Sequence, residues 1–264
     1  MKILFFGDII GRPGREALKK ILPEWKKKYQ PDLILANAEN LAHGIGITRK
    51  SVKEISEAGV DLLTSGNHVF DKREEISLLE DKDALIIRPA NYPPMVIGQG
   101  HKIIEIGVKK VLVINLNGRV FFKVSLDCPF READRILKEY EDEKFSAIIV
   151  DFHAEATSEK IAMGYYLDGR VSAVLGTHTH VATADERILP GGTAYISDVG
   201  MVGPIDSVIG IDKKNILKGF LTQTPQKRGE IAPGPVEVSA VLVEIDNQSR
   251  AKKIKRLQEV VDIG

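Results

Sequence analysis

Seven short apolar runs punctuate the chain, at residues 2–6, 32–36, 60–64, 111–116, 146–151, 171–176 and 193–197. Each is rich in Val, Ile and Leu and about four to eight residues long, the pattern of buried strands. Between several of them the apolar positions shift to three- and four-residue spacing. Leu18, Ile21, Leu22, Trp25 and Tyr29 make one such face, that of an amphipathic helix. Alternation of the two patterns predicts an α/β chain with a largely parallel sheet.

Punctuation residues refine these elements. Pro13 suits a first helical turn, residues 51–54 (Ser-Val-Lys-Glu) have capping-box spacing ahead of Ile55, and Gly59 is placed as a stop. Pro23 falls inside the first helical pattern and predicts a break or kink near Leu22. A Pro-rich loop at 88–94 then precedes two strand patterns, 102–106 and 110–116, read as a hairpin through Gly107 that opens a second sheet. Two final strands, 236–246 and 251–260, flank the polar turn Asn247-Gln248-Ser249 and follow a Gly/Pro-rich loop at 226–235. No repeat or linker interrupts the chain, so one domain spanning residues 1–264 and containing two sheets is expected.

Composition narrows the class. With 264 residues, 43% hydrophobic and 28% charged, disordered, collagen-like and polytopic membrane chains are excluded. Lys and Arg total 37, as do Asp and Glu. No global positive field therefore exists to hold long nucleic acid or an anionic membrane. Cys128 is the single cysteine, which leaves no intramolecular disulfide and no CxxC metal or redox pair. Four apolar residues before Gly7-Asp8 are too few for a signal-peptide core. A cytoplasmic location is expected, and assembly with further copies of the chain is left open.

Against that unremarkable background the polar residues are informative by position. Asp8 follows the first predicted strand, Asn37, Glu39 and Asn40 the second, Asn67 and His68 the third, His153 the fifth, and His178 and His180 the sixth. In an α/β sheet the carboxyl ends of the strands line one crevice, so these residues are expected to converge there. Imidazole, carboxylate and amide donors together suit Zn, Mn or Fe, whereas an all-oxygen set would suit Mg or Ca. The donors exceed the needs of one tetrahedral ion, and one carboxylate can bridge two. Two metals are implied. His178 and His180, two apart, point the same way in an extended segment and can each serve a different ion. Paired ions about 3.5–4 Å apart are the arrangement for in-line attack on phosphorus. Singly, each residue also has an ordinary reading, Asp8 as a turn acid and each His as a satisfied hydrogen-bonding group; the joint arrangement outweighs these.

Gly7-Asp8, Gly66-Asn67-His68, the later His153 and Gly176-Thr177-His178-Thr179-His180, in that order, resemble the calcineurin-like metallophosphoesterases. Their Asp-x-His is replaced by Asp8-Ile9-Ile10, and their Gly-Asp-x-x-Asp by Asn37-Ala38-Glu39-Asn40. Those departures, with the runs at 7–15, 151–159 and 197–204, look like the bacterial YmdB branch over nearly the whole chain. The resemblance implies a four-layer αββα sandwich of two mixed sheets, and a dinuclear phosphodiesterase that turns 2',3'-cyclic nucleotides into 3'-nucleotides with iron or manganese. It assigns Asp8 and His180 to one ion with Asn40 nearby, and Asn67, His153 and His178 to the other. Glu39 would bridge them and His68 would be the general acid. Two divalent ions, Asp8, Glu39 and a bridging hydroxide would leave a net charge of roughly +1, suited to a phosphodiester monoanion.

Other candidates are weaker. His101 reads as structural and His43 as a loop residue that lies near the pocket. The glycines at 7, 11 and 14 with Arg12 read as a tight turn before a phosphate cradle, because neither GxGxxG nor Walker A spacing is present. Glu155 is a candidate support for His153, and the Lys/Arg-rich stretch 250–256 a solvated strand face. The rival functions are a phosphomonoesterase or nuclease on the same core, and a regulatory protein that senses a metal or nucleotide.

Overall fold

Side-chain alternation along the first strand decides the layering of the molecule. In the computed structural model, which describes residues 1–224 and 229–264, strand β1 (Lys2–Phe6) is buried from Ile3 to Phe6. Successive strand residues face opposite ways. Leu4 and Phe6 pack against Leu18, Leu22 and Trp25 of α1 (Gly11–Tyr29). Ile3 and Phe5 pack instead against Val111, Val113 and Ile149 of a second sheet.

After β1 and the short β2 (Asp8–Ile9), β3 (Leu33–Asn37), α2 (Arg49–Ala58) and β4 (Leu62–Thr64) continue the first sheet with its helices. A 3-10 segment, Arg73–Glu80, leads to β5 (His101–Ile106), β6 (Lys109–Asn117), α3 (Pro129–Glu139), β7 (Ala147–His153), α4 (Thr157–Tyr166) and β8 (Ala173–Thr177). Then come β9 (Arg187–Ile188), β10 (Ala194–Ile196), β11 (Met201–Pro204), α5 (Lys213–Thr222), β12 (Val236–Ile245) and β13 (Ala251–Val261).

The first sheet is ordered β2-β11-β12-β1-β3-β4, with β13 on the free edge of β12, and the second β5-β6-β7-β8-β10-β9. Within them β1-β3-β4 and β6-β7-β8-β10 are parallel, while β12 and β5 pair antiparallel, so both sheets are mixed. On the outer face of the second sheet Leu112, Ile114, Val150 and Phe152 meet Ile136 of α3 and Met163 of α4. The layers are therefore α1 and α2, sheet, sheet, α3 and α4: the αββα sandwich expected from the sequence. The predicted hairpin forms through Gly107 and Val108 and opens the second sheet.

Two local expectations need correction. The helix does not break at Pro23: α1 runs unbroken to Tyr29. Pro23 sits on the solvent side, where the Lys19 carbonyl it leaves without a donor is open to water, while Trp25 anchors the next turn by stacking on Phe6 (centroids 5.5 Å apart). The cap of α2 is Thr48 rather than Ser51; Thr48 and Ser51 form the reciprocal box, and Glu54 pairs with Arg15 and Lys19. Gly59 ends the helix with φ 104, a conformation that suits glycine, as predicted. The sequence patterns do not include β2, β9 and β11, which span only two to four residues, too few for an alternation to register. The loop expected at 226–235 lies in part, at 226–228, outside the described residues.

Among the described residues no helix is long and apolar enough to cross a membrane. Thr48→Ala is expected to lower stability by about 1 kcal/mol in urea unfolding, the usual cost of losing an N-cap. An unchanged midpoint would contradict the cap.

Candidate metal centre

Parallel strands of both sheets end on the same side of the sandwich, and the polar residues lie at those ends. Asp8 follows β1, Glu39 and Asn40 follow β3, Asn67 and His68 follow β4, His153 closes β7, and His178 and His180 follow β8. Asp8, Glu39 and His153 are almost wholly buried.

Two donor sets form there, and both contain Glu39: Glu39 with His153 and His178, and Asp8 with Glu39 and His180. The ligand atoms of each set lie within 4.8 Å of one another. In the first, Nε2 of His153 faces Glu39 Oε2 at 3.0 Å, Asn67 Oδ1 at 3.2 Å and His178 Nδ1 at 3.0 Å. One N–H cannot satisfy three acceptors; a cation can. In the second, Asp8 Oδ1 is 3.8 Å from His180 Nε2, and Asn40 lies 3.1 Å from the same nitrogen and 3.0 Å from Glu39 Oε1. Nδ1 of His180 is 3.0 Å from the Ile209 carbonyl, which fixes that nitrogen as the donor and leaves Nε2 as a ligand atom.

Two observations test the fit of a metal. Asp8 Oδ1 is a buried carboxylate oxygen with no hydrogen-bond partner, although Oδ2 accepts the His178 amide at 3.1 Å. Such orphans are costly, and a cation would satisfy this one. Gly66 leaves a cradle beside the same atoms: a Cβ there would overlap Glu39 Oε2 and His153 Nε2. The residues fit metal ions.

Burial and mutual charge shift the protonation of these groups in opposite directions. Burial pushes Asp8 up to about 7, against the pull of His180 and His153. Burial would also raise Glu39, but His153 overrides it and holds the carboxyl well below its ordinary range. His153, which burial alone would lower, is raised to about 9, chiefly by Glu39. His178 falls to about 3 through burial and the neighbouring His153 charge. Its 3.0 Å contact with Glu155 is therefore a hydrogen bond from a neutral ring rather than an ion pair.

Supporting residues were not apparent in the sequence. His153 Nδ1 is 2.9 Å from Thr177 Oγ1, which donates to Asp151 at 2.7 Å; Asn37 and Thr64 also donate to Asp151. The chain from imidazole through hydroxyl to carboxylate points Nε2 of His153 into the cluster. Asn37 thus lies behind the site, its Oδ1 accepting the Glu39 amide at 3.0 Å. His68 is half-buried at the rim, with Nδ1 2.7 Å from Asp71 Oδ2. Phe122 packs on His178, with centroids 4.8 Å apart. His178 and His180 have φ 102 and φ 63, unusual values for residues with side chains. The segment is held by Asp198, which accepts the Thr179 amide at 3.0 Å and pairs at 2.6 Å with the equally buried Lys160. None of these hydroxyls, amides or ion-pair partners differs in type from residues elsewhere in the chain.

Other candidates sit elsewhere. Glu155 reaches His178, not His153, because it follows β7 on the side where β8 ends. Arg12 is exposed and pairs with Glu16. The glycine run is not a separate tight turn: Gly11 and Gly14 lie in the first turn of α1, where their amides donate to the carbonyls of Asn40 and Ile10. His43 is exposed, and His101 lies 3.1 Å from the Tyr140 hydroxyl, a structural contact.

Comparison with known proteins places this geometry among relatives. The family model described as YmdB-like protein matches residues 4–257. A Bacillus subtilis (strain 168) protein named 2',3'-cyclic-nucleotide 2'-phosphodiesterase is 47% identical over 97% of this chain and 96% of its own. A hypothetical protein from Thermus thermophilus is 43% identical, with a TM-score of 0.91 over 98% of this chain and 99% of that one. A structure titled a novel phosphatase, from Mycoplasma pneumoniae, is 36% identical with the same TM-score, over 99% and 94%.

Gly66→Ala should reduce bound metal to trace levels in elemental analysis while far-UV circular dichroism is unchanged; full occupancy would remove the cradle from the metal site. In metal-free protein the protons on His153 and Asp8 must leave as a cation enters. Metal affinity should therefore rise with pH through about 7 and on toward 9, then level off. Calorimetric titrations between pH 6 and pH 10 check this, and a flat profile would contradict it.

Proposed function

Because the chain belongs to the YmdB-like protein family, we propose that it is a metal-dependent phosphodiesterase that hydrolyses 2',3'-cyclic nucleotides to 3'-nucleotides. The observation that carries the reading is that the Glu39 carboxylate belongs to two buried donor sets at once. Asp8, Asn40 and His180 would hold one ion, Asn67, His153 and His178 the other, and Glu39 both. The mixed donors suit manganese, iron or zinc, with iron or manganese preferred on the resemblance. When bound, the pair would lower the pKa of water to supply the nucleophile and would neutralise phosphoryl oxygens.

The chain's own residues do the rest. Asp8 and Glu39 fix the charge of the floor, and the amide of His68, 3.2 Å from Glu39 Oε2, orients the shared carboxylate. Asp151 and Thr177 keep the lone pair of His153 Nε2 directed inward. Asp71 accepts a hydrogen bond from His68 Nδ1–H and so orients the protonated ring, whose Nε2–H passes its proton to the departing 2'-oxygen and leaves neutral imidazole. Phe122 covers His178 against solvent.

Turnover of 2',3'-cyclic AMP to a 3'-phosphate, set against phosphomonoesters and short RNAs, tests the substrate class. Preference for either of the latter would favour the monoesterase or nuclease reading. Tight nucleotide binding without turnover under every metal would favour a sensor. For the mechanism, His68→Ala should retain metal and slow cyclic AMP cleavage on the order of 100-fold or more. It should slow an activated nitrophenyl ester far less, because that leaving group needs little protonation. Equal slowing would remove His68 as the acid.

A further inference from the structure

One side of the metal cluster opens into a cleft of about 870 Å³ whose two walls have opposite chemistry. Its floor carries Glu39, Asn40, His68 and His180; its far wall carries Ile10, Ile211 and the inner stripe of α5. That stripe is Ile216, Gly219 and Phe220, spaced three and four residues apart and so on one helical face, with Gln223, the left-handed residue that caps the helix, lining the cleft just beyond it. Helix α5 has no buried residue, and Phe220 is 72% exposed. A ten-residue helix with no buried face is marginal by itself, and among the described residues this one has no cover. Its stem is tied to the metal site, since the Ile209 carbonyl meets His180 Nδ1 and Ile211 bridges to Val208 and Ile231.

We propose that the inner face of α5 is the nucleobase seat of the enzyme, with Ile216 and Phe220 against the heterocycle and the Asn215 and Gln223 amides at its polar edge. This deepens the phosphodiesterase reading and rests on it. A ligand that spans the cleft must be anionic at the floor and flat and apolar at the wall, which is the chemistry of a nucleotide. The placement also follows from the cyclic substrate. Its leaving oxygen stays on the ribose, so sugar and base lie on the side of the group that protonates that oxygen. His68 lines this cleft and is absent from the smaller pocket on the other side of His178, which Phe121 and Phe122 line.

The test compares wild-type protein with Phe220→Ala, Ile216→Ala and, on the opposite lip, Phe121→Ala, each full-length and metal-loaded with metal content verified. Substrates are 2',3'-cyclic AMP and the base-free methyl riboside 2',3'-cyclic phosphate. Phe220→Ala should raise KM for cyclic AMP about tenfold with kcat changed less than twofold, in keeping with the strength of base–aromatic stacking. Ile216→Ala should act in the same direction. The base-free substrate should respond to neither, and Phe121→Ala should leave both substrates as in wild type. Unchanged KM in Phe220→Ala, equal loss on both substrates, or loss confined to Phe121→Ala would overturn the seat. So would dissociation of an assembly by Phe220→Ala in sedimentation, which would make this face a contact between copies of the chain. Calorimetric binding of 3'-AMP and ribose 3-phosphate keeps the two readings separable. If wild type fails to turn over cyclic nucleotides yet prefers 3'-AMP, and Phe220→Ala abolishes that preference, the phosphodiesterase reading fails and the seat stands. No preference for 3'-AMP in wild type overturns the seat whatever the turnover.

Discussion

Two carboxylates withdrawn from water at one end of a sandwich set the terms for the rest of this structure. Asp8 and Glu39 have essentially no exposure, and Oδ1 of Asp8 has no hydrogen-bond partner among the described residues. A buried charge is tolerated only when it is paired. In the protein alone the pairing is done by protons: His153 holds one against Glu39, and Asp8 retains its own to about pH 7. Three acceptors crowd a single His153 nitrogen, and Gly66 leaves an opening among them. The protons occupy positions that divalent cations would fill more completely.

The fold explains how so costly an arrangement persists. Both sheets end their parallel strands on the same side, so residues from β1, β3, β4, β7 and β8 meet although they are separated by up to most of the chain. Behind the buried polar network of Asp151, Thr177, Thr64 and Asn37 the layers pack as three apolar clusters, and that packing sets the positions of the strand ends. The backbone at His178 and His180 adopts conformations that cost on the order of 1–3 kcal/mol each. Hydrogen bonds donated by the His178 and Thr179 amides to Asp8 and Asp198, and the buried Lys160–Asp198 pair, hold it there. Two of the eight non-glycine residues with positive φ among the described residues are thus candidate ligands.

Much of this was legible in the sequence because two periodicities and a positional rule suffice for it. Alternating strand and helix patterns gave an α/β chain with two sheets, the resemblance supplied the four layers, and chemistry-bearing residues after successive strands gave the cluster from Asp8 to His180. What escaped has physical causes. Thr177, Thr64 and Asp151 act through a hydrogen-bond chain that only three-dimensional proximity defines. Asp71 is three residues from His68 in an irregular segment with no period to reveal it. The cap of α2 moved to Thr48 because Glu54 found Arg15 and Lys19, partners from another helix. Pro23 was absorbed because its missing hydrogen bond faces water. Helix α5 shows no wide apolar stripe and buries nothing, so its relation to the cleft is visible only in the folded molecule.

The claim that these carboxylates are arranged around a pair of cations can be tested without assaying any reaction. Crystals of protein purified with no added metal, measured at energies on either side of the iron and manganese edges, would yield anomalous difference maps. The account predicts two peaks in each chain, one within coordination distance of Glu39, His153 and His178 and the other within reach of Asp8, Glu39 and His180. A single peak, or none with the carboxylates still in place in crystals soaked in manganese, would contradict it.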